Sequence, residues 1–214
     1  MYVAVIPVYN PNVNFKALLR EVKKHINDII VIDDGSKNPF SIQMDGVSLI
    51  RNKINRGKGY SLRKAFNLCI EKKYQFAITL DGDGQHDPSI IKDFINFETH
   101  TDIVIGARKI IFPMPLHRRF SNVATSFLLS LRCGKKINDS QCGYRRYKLQ
   151  SYEKYNYVQD GFQFESEVLI KVLSKGGSLD HINIPTIYNS STSYINNVND
   201  TLIFIKLYLR SFLW

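Results

Sequence analysis

Short aliphatic runs alternate with amphipathic stretches through the first half of the chain. The runs are Tyr2 to Val8, Ile29 to Asp33, Val47 to Ile50, Phe76 to Leu80 and Ile103 to Ile105. Between them, Lys16 to His25, Tyr60 to Lys72 and Ser89 to Phe97 carry apolar residues at helical spacing. This β-α-β alternation predicts an α/β fold, a mainly parallel sheet with helices on both faces. The ligand crevice of such a sheet lies beyond the carboxyl ends of its strands. Polar or glycine-rich residues follow the runs: Pro7-Val-Tyr-Asn, Asp33-Asp-Gly-Ser, Asn55-Arg-Gly-Lys-Gly and Asp81-Gly-Asp-Gly-Gln-His. All four are therefore expected on one edge.

Past residue 106 the pattern loosens into a loop with Pro113 and Pro115, an apolar helix near Asn122 to Leu131, and the polar stretch Asp139-Ser-Gln-Cys-Gly-Tyr-Arg. No linker or repeat intervenes, so residues 1–214 are expected to form one domain. A C-terminal amphipathic helix is expected at about 200–214. Its Lys206 and Arg210 lie on one side, and it suits a membrane interface, a partner or the chain's own core equally well.

The formal net charge is +10, and residues 105–150 carry +9 of it: ten cations, Arg108, Lys109, Arg118, Arg119, Arg132, Lys135, Lys136, Arg145, Arg146 and Lys148, against Asp139. A field so concentrated implies an anionic partner. No nucleic-acid-binding motif accompanies it, so nucleic acid is not the expected one. Three cysteines without C-x-x-C spacing point to a reducing cytosol, and the N-terminus reads as a strand rather than a signal peptide. No apolar run reaches the length of a membrane span, so any membrane contact is expected to be peripheral.

Asp81-Gly-Asp-Gly-Gln-His is the sharpest chemical signal. Carboxylates at Asp81 and Asp83, with Gly82 between them, can turn toward one divalent ion, and Gln85 adds a neutral oxygen. Such hard donors suit Mg²⁺ or Mn²⁺. The alternative is an Asp/Gly turn that merely ends a strand. His86 is expected to be a loop residue or to sit behind the metal ligands. Asp33 and Asp34 could accept from a ribose or base, or cap a turn. The loop before the helix at Tyr60 offers backbone N–H groups and Lys58 to an anion. It lacks P-loop spacing, and no G-x-G-x-x-G follows the first strand.

Taken in order, Pro7-Val-Tyr-Asn, Val31-Ile-Asp-Asp-Gly-Ser, Asn55-Arg-Gly-Lys-Gly, Leu80-Asp-Gly-Asp-Gly-Gln-His-Asp-Pro, Ile103-Val-Ile-Gly-Ala-Arg and Asp139-Ser-Gln-Cys-Gly-Tyr-Arg resemble the motifs of family-2 glycosyltransferases of the GT-A fold. The likeness is greatest to the polyprenyl-phosphate or dolichol-phosphate mannosyl- and glucosyltransferases and spans about residues 3–210. Three features depart from it: Asn10 stands where the family has an acid, Gly82 where it has Ala, and the membrane helices of many members do not follow.

The resemblance implies a GT-A-like, Rossmann-like sheet and an inverting, metal-dependent transfer from a nucleoside-diphosphate sugar. Asp81, Asp83 and Gln85 would hold Mg²⁺ or Mn²⁺. Pro7, Tyr9, Asp33 or Asp34, Lys58 and Gly82 would line the donor nucleotide. Arg108 and Arg118 or Arg119 would contact phosphates, and Glu165 and Glu167 would close the sugar side. Asp139 is the candidate base if the acceptor is a saccharide hydroxyl. It serves to orient if the acceptor is a polyprenyl phosphate, which arrives ionised with a second pKa of about 6. The expected place is the cytoplasmic face of a membrane. A saccharide acceptor in glycan assembly, and a non-catalytic nucleotide-sugar-binding protein hinted at by Asn10, are the alternatives.

Overall fold

In the computed structural model, residues 1–110, 114–187 and 197–214 are described. Pro113 of the expected proline-rich loop lies outside them. The elements run β1 (Tyr2–Val8), α1 (Phe15–Lys23), β2 (Ile29–Asp33), β3 (Val47–Arg51), α2 (Lys58–Glu71), β4 (Phe76–Thr79), α3 (Ile91–Asn96), β5 (Ile103–Arg108), α4 (Leu116–Cys133), β6 (Arg145–Lys148), α5 (Leu149–Tyr152), α6 (Gln163–Leu173), β7 (Leu179–Ile184) and α7 (Asn197–Arg210). The strands form one sheet in the order β3-β2-β1-β4-β6-β5-β7. Every pairing is parallel except those of β6, which runs antiparallel to β4 and β5.

All five expected strands are present: β1 and β2 with the expected bounds, and β3, β4 and β5 with small shifts at their carboxyl ends. The apolar composition of β1, β2 and β4 follows from burial on both faces. β6 escaped the sequence reading because Arg-Arg-Tyr-Lys lacks an apolar run. Its side chains nonetheless point alternately into the two layers. Arg145 and Tyr147 face α6 and α2: Arg145 donates to the carbonyls of Ser140 (2.6 Å), Cys142 (2.7 Å) and Glu165 (3.3 Å), and Tyr147 packs on Phe66. Arg146 faces the α3 layer, donating to the carbonyls of Phe94, Phe97, Glu98 and Thr101, with its guanidinium 4.8 Å from the Phe76 ring centre.

Arg145 and Arg146 are fully buried, which corrects the expectation that the cations of residues 105–150 form one anion-facing surface. These two serve the chain's own carbonyls, because a guanidinium's fork of donors satisfies several acceptors at once. α4 begins six residues before the expected Asn122, since its first turn is polar. It ends at Gly134, whose left-handed φ of 64° suits the residue after a helix. α7 docks Phe204 and Leu207 on the core and leaves Leu202, Ile205 and Leu209 exposed. Among the described residues no helix is long and apolar enough to cross a membrane.

Replacing Arg146 by Ala leaves four carbonyls without their donor. A loss of more than about 2 kcal/mol in urea unfolding is expected. A loss below half of that would show that water takes over the carbonyls without cost.

Candidate functional site

The parallel strands β1, β2, β4 and β5 deliver their carboxyl ends to one edge, as Val8 opposite Asp33 and Tyr2 to Val5 opposite Phe76 to Thr79 show. Because β6 is antiparallel, its beginning reaches the same edge. Arg145 stands opposite both Thr79 and Ile105, which brings the 139–144 segment against the loop after β4. A polar cluster forms where these segments meet the start of α2 and the first turn of α6.

Asp81 is its centre. Lys58, the first residue of α2, places Nζ 2.7 Å from Asp81 Oδ1 and 3.4 Å from Glu165 Oε2. The Asp81 N–H donates to His86 Nδ1 at 3.1 Å, so the imidazole proton rests on Nε2, which lies 3.9 Å from Cys142 Sγ and 4.0 Å from Asp81 Oδ2. His86 is buried and stacks on Tyr144, with 5.0 Å between ring centres. Burial would lift the Asp81 carboxyl, but the charge of Lys58, joined by that of His86 once acid protonates it, outweighs burial and holds the group down at about 2. Burial also opposes the charge on Lys58, yet Asp81 and Glu165 keep its pKa above the ordinary lysine value.

Gly143 closes the cluster from above. A Cβ there would stand 2.6 Å from Lys58 Nζ and 2.7 Å from Asp81 Oδ2, so no side chain fits without separating the pair. Gly57, before α2, adopts a φ of 100° with Asp160's carbonyl 2.4 Å from a would-be Cβ, so this entry to the helix needs glycine as well. A Cβ at Gly82 would stand 3.2 Å from side-chain carbons of Phe15 and Val8, closer than an ordinary van der Waals contact, so an Ala there would need those side chains to give by a few tenths of an ångström.

Asp83 follows on the same loop, with Oδ1 accepting from the Gln85 N–H at 2.9 Å. Its carboxyl is pushed up, first by burial and then by the charge of Asp81. Two carboxylates that raise one another's energy, with Gln85 beside them, are a hard-oxygen set that a divalent cation would relieve. Among the described residues no three His, Cys, Asp or Glu side chains gather around one point. The pair therefore fits an open metal position completed by a ligand's oxygens, not a closed cage.

The other candidates divide. Asp33 and Asp34 are buried and turned inward. Asp33 accepts from the Ser36 N–H and pairs with Arg51, while Asp34 accepts from Asn52 Nδ2 (2.8 Å) and the N–H groups of Arg56 (3.0 Å) and Gly57 (2.8 Å), holding the loop that starts α2. Pro7 is buried in β1 opposite Ile32, and Tyr9 is half-buried at its end. Asn10 has a left-handed φ of 49°. It takes Ser36 Oγ on its N–H and offers Oδ1 to the Lys37 N–H, a turn role that accounts for an amide there.

Arg108, at the end of β5, donates from Nε (2.7 Å), a terminal nitrogen (3.1 Å) and its backbone N–H (3.2 Å) to Asp139, which also accepts from Asn122 Nδ2 at 2.6 Å. Asp139 is fully buried. Burial alone would raise its carboxyl, but the hydrogen bonds and charge of Arg108, with Asn122, hold it below the usual carboxylate range. Arg119 gives Nε to the Met114 carbonyl, and Arg118 is half-buried on the same turn. Glu167 lies apart from the cluster, accepting from the Val158 and Gln159 N–H groups and pairing with Lys171. Glu165 is 6% exposed, and its Oε1 has no hydrogen-bond partner among the described residues.

Sequence reasoning missed Asn122, Gly143 and Arg145 here. A lone Asn within an apolar helical pattern and a glycine inside a polar loop were the available signals.

The sequence pattern of glycosyl transferase family 2 matches residues 3–171. The chain belongs to this family. It is 28% identical to the UDP-N-acetylglucosamine--dolichyl-phosphate N-acetylglucosaminyltransferase of Methanococcus voltae, with 86% of this chain and 84% of that protein covered. It is 22% identical to the undecaprenyl-phosphate mannosyltransferase of Micrococcus luteus, covering 80% and 77%. An uncharacterized Methanocaldococcus jannaschii protein is 31% identical over 90% of this chain and 91% of its own length.

Glucosyl-3-phosphoglycerate synthase from Mycobacterium tuberculosis, solved with Mn²⁺, UDP and phosphoglyceric acid, superimposes with a TM-score of 0.72 at 12% identity, over 100% of this chain and 77% of that one. The same synthase has been solved with Mg²⁺ and UDP. At that identity the likeness speaks to the fold, which is GT-A. This family-2 member is thus a glycosyltransferase, and its resemblance to the polyprenyl- and dolichyl-phosphate branch holds.

His86 supplies a test of the cluster's electrostatics. Burial lowers its pKa to about 4 against an ordinary value of 6.5. The unfolded chain therefore takes up the His86 proton before the folded one does. Its contribution to stability is full above about pH 6.5 and is lost as pH falls toward 4, by up to about 3 kcal/mol. Urea unfolding should weaken across that window in wild type and less in His86→Gln; identical slopes would contradict the assignment.

Proposed function

We propose that this glycosyltransferase moves a sugar, with inversion, from a nucleoside-diphosphate sugar to a polyprenyl-phosphate lipid at the cytoplasmic face of a membrane. The observation that carries the choice of acceptor is the state of Asp139. It is buried, accepts four hydrogen bonds, and is held ionised by Arg108. A hydroxyl acceptor needs a base that can reach it, whereas a lipid phosphate is already anionic and needs a cation to receive it. The Arg108–Asp139 pair suits the second case, with Asp139 as a positioning residue that fixes the guanidinium. The names of the Methanococcus and Micrococcus relatives point to the same acceptor class.

On the donor side, Asp81 and Asp83, with Gln85 adjacent, would hold Mg²⁺ or Mn²⁺, which when bound offsets the charge gathering on the leaving diphosphate. Lys58 adds a fixed positive charge beside Asp81 for the same diphosphate. Asp34 shapes the loop that presents the 56–58 backbone, so its part in donor binding is indirect, and Asp33 acts likewise through Arg51. The unpartnered Oε1 of Glu165 suits a hydroxyl of the transferred sugar. An acceptor phosphate oxygen then bonds to the anomeric carbon from the face opposite the diphosphate, and the broken C–O bond's electrons leave with the diphosphate.

Incubation with UDP- and GDP-sugars, Mn²⁺ and a short-chain polyprenyl phosphate tests the reading by chromatography of the lipid. One donor should yield glycosylated lipid. Transfer to saccharides with none to lipid would overturn it. Asp83→Ala should lower transfer at least about a hundredfold with its melting temperature retained; wild-type rates would remove Asp83 from the site. Asp139→Asn should raise KM for the phosphate acceptor about tenfold and leave the pH–rate profile in place. A lost acidic limb in that profile would make Asp139 a base after all.

A further inference from the structure

Glu167 touches none of the groups around Asp81, yet it is fully buried on α6, two residues beyond Glu165. Its Oε2 accepts from the N–H groups of Val158 (3.0 Å) and Gln159 (2.9 Å), and Lys171, one turn further along the helix, sets Nζ 2.8 Å from Oε1. Burying a carboxylate is costly unless it is paired and hydrogen-bonded. Here the pairing fixes two backbone groups of the segment 157–161.

That segment is a collar on the first turns of α2. The Asp160 carbonyl accepts the Tyr60 N–H at 3.0 Å, the carbonyls of Tyr157 (3.0 Å) and Gln159 (3.3 Å) accept from Arg63, and the Asp160 carboxylate pairs with the same guanidinium. The two backbones lie as close as glycine allows: a Cβ on Gly59 would stand 2.6 Å from the Gly161 carbonyl oxygen and 2.7 Å from that of Gln159. Between Gly57 and Gly59 stands Lys58, whose Nζ reaches Asp81 and Glu165. One helix, α6, therefore holds Lys58 twice, directly by Glu165 and through the collar by Glu167.

We propose that Glu167 is a positioning residue for donor binding, acting through the 157–161 segment to set where α2 begins and hence where the Lys58 ammonium stands. A carboxylate on a packed helix suits this task, because charge-assisted hydrogen bonds are roughly twice as strong as neutral ones. The position matters because the attraction between charges falls with their separation. Its use in donor binding rests on the reading of Lys58 as the diphosphate's cation.

A double-mutant cycle on nucleotide binding by calorimetry tests it, with Mn²⁺ present and with UDP or GDP, whichever wild type binds, as the probe. Glu167→Gln keeps the volume while removing the charge that binds Lys171 and one of the two acceptor oxygens. It should weaken nucleotide binding about tenfold. In the transfer assay the loss should fall chiefly on the donor KM and less on kcat, since the diphosphate is already charged in the unreacted donor. In Lys58→Met, the same change of Glu167 should cost less than about twofold, because no ammonium is left to misplace. Arg63→Met opens the collar from the α2 side at a partly exposed position, so it should follow the same pattern and carries the cycle if Glu167→Gln does not fold. Additive losses in the double variant, or a fall in kcat at an unchanged donor KM, would overturn the inference. Nucleotide binding that is absent in wild type, or unchanged in Lys58→Met alone, would instead strike the donor reading of Lys58.

Discussion

The site depends on one half-buried carboxylate, Asp81, being kept ionised just past the end of a parallel strand. Three arrangements serve this, each from a different part of the chain. Lys58 supplies an ammonium at 2.7 Å, His86 accepts the residue's own N–H, and Gly143 leaves the space a side chain would take from the pair. The low carboxyl pKa of about 2 is the electrostatic result. At Asp83 burial, and then its neighbour's negative charge, outweigh the pull of Lys58 and push the carboxyl the other way. Under the proposed function this carboxylate pair would hold a divalent cation shared with the donor.

The reversed strand β6 makes this arrangement possible. If it ran parallel to its neighbours, Gly143 and Cys142 would lie at the opposite edge from Asp81. The antiparallel course turns them toward it, and Arg145, pairing opposite Thr79, fastens the turn by donating to Ser140 and Cys142. The same segment carries Asp139 to Arg108, so the charges around Asp81 and around Arg108 share a support. α4 joins that support through Asn122, whose amide bonds Asp139.

Much of the frame was legible because strands buried on both faces announce themselves as aliphatic runs. β1 and β2 have the bounds expected of them, and the loops after β1, β2 and β4 meet at one edge as parallel topology requires. β6 was not legible, since its burial is achieved with guanidinium groups whose carbonyl partners come from residues 94–101, 140–142 and 165. Charge counting failed at Arg145 and Arg146 for that reason. In the site, Lys58, Asp81 and Asp83 sit together as their motifs implied. Asp33, Asp34 and Glu167 could be recognised in sequence as acids near strand or helix ends, but not as acids already engaged by Arg51, by the 56–57 backbone and by the 158–159 backbone. Those partners come from separate segments, and only the folded chain brings them together.

The most direct test of a shared, ligand-completed metal position is the electron paramagnetic resonance of Mn²⁺ titrated into the protein with and without UDP. The account predicts weak uptake of the ion alone and strong uptake in the presence of the nucleotide. Both should be lost on changing Asp81 and Asp83 together to asparagine. Tight binding without nucleotide, or binding indifferent to the two carboxylates, would contradict it.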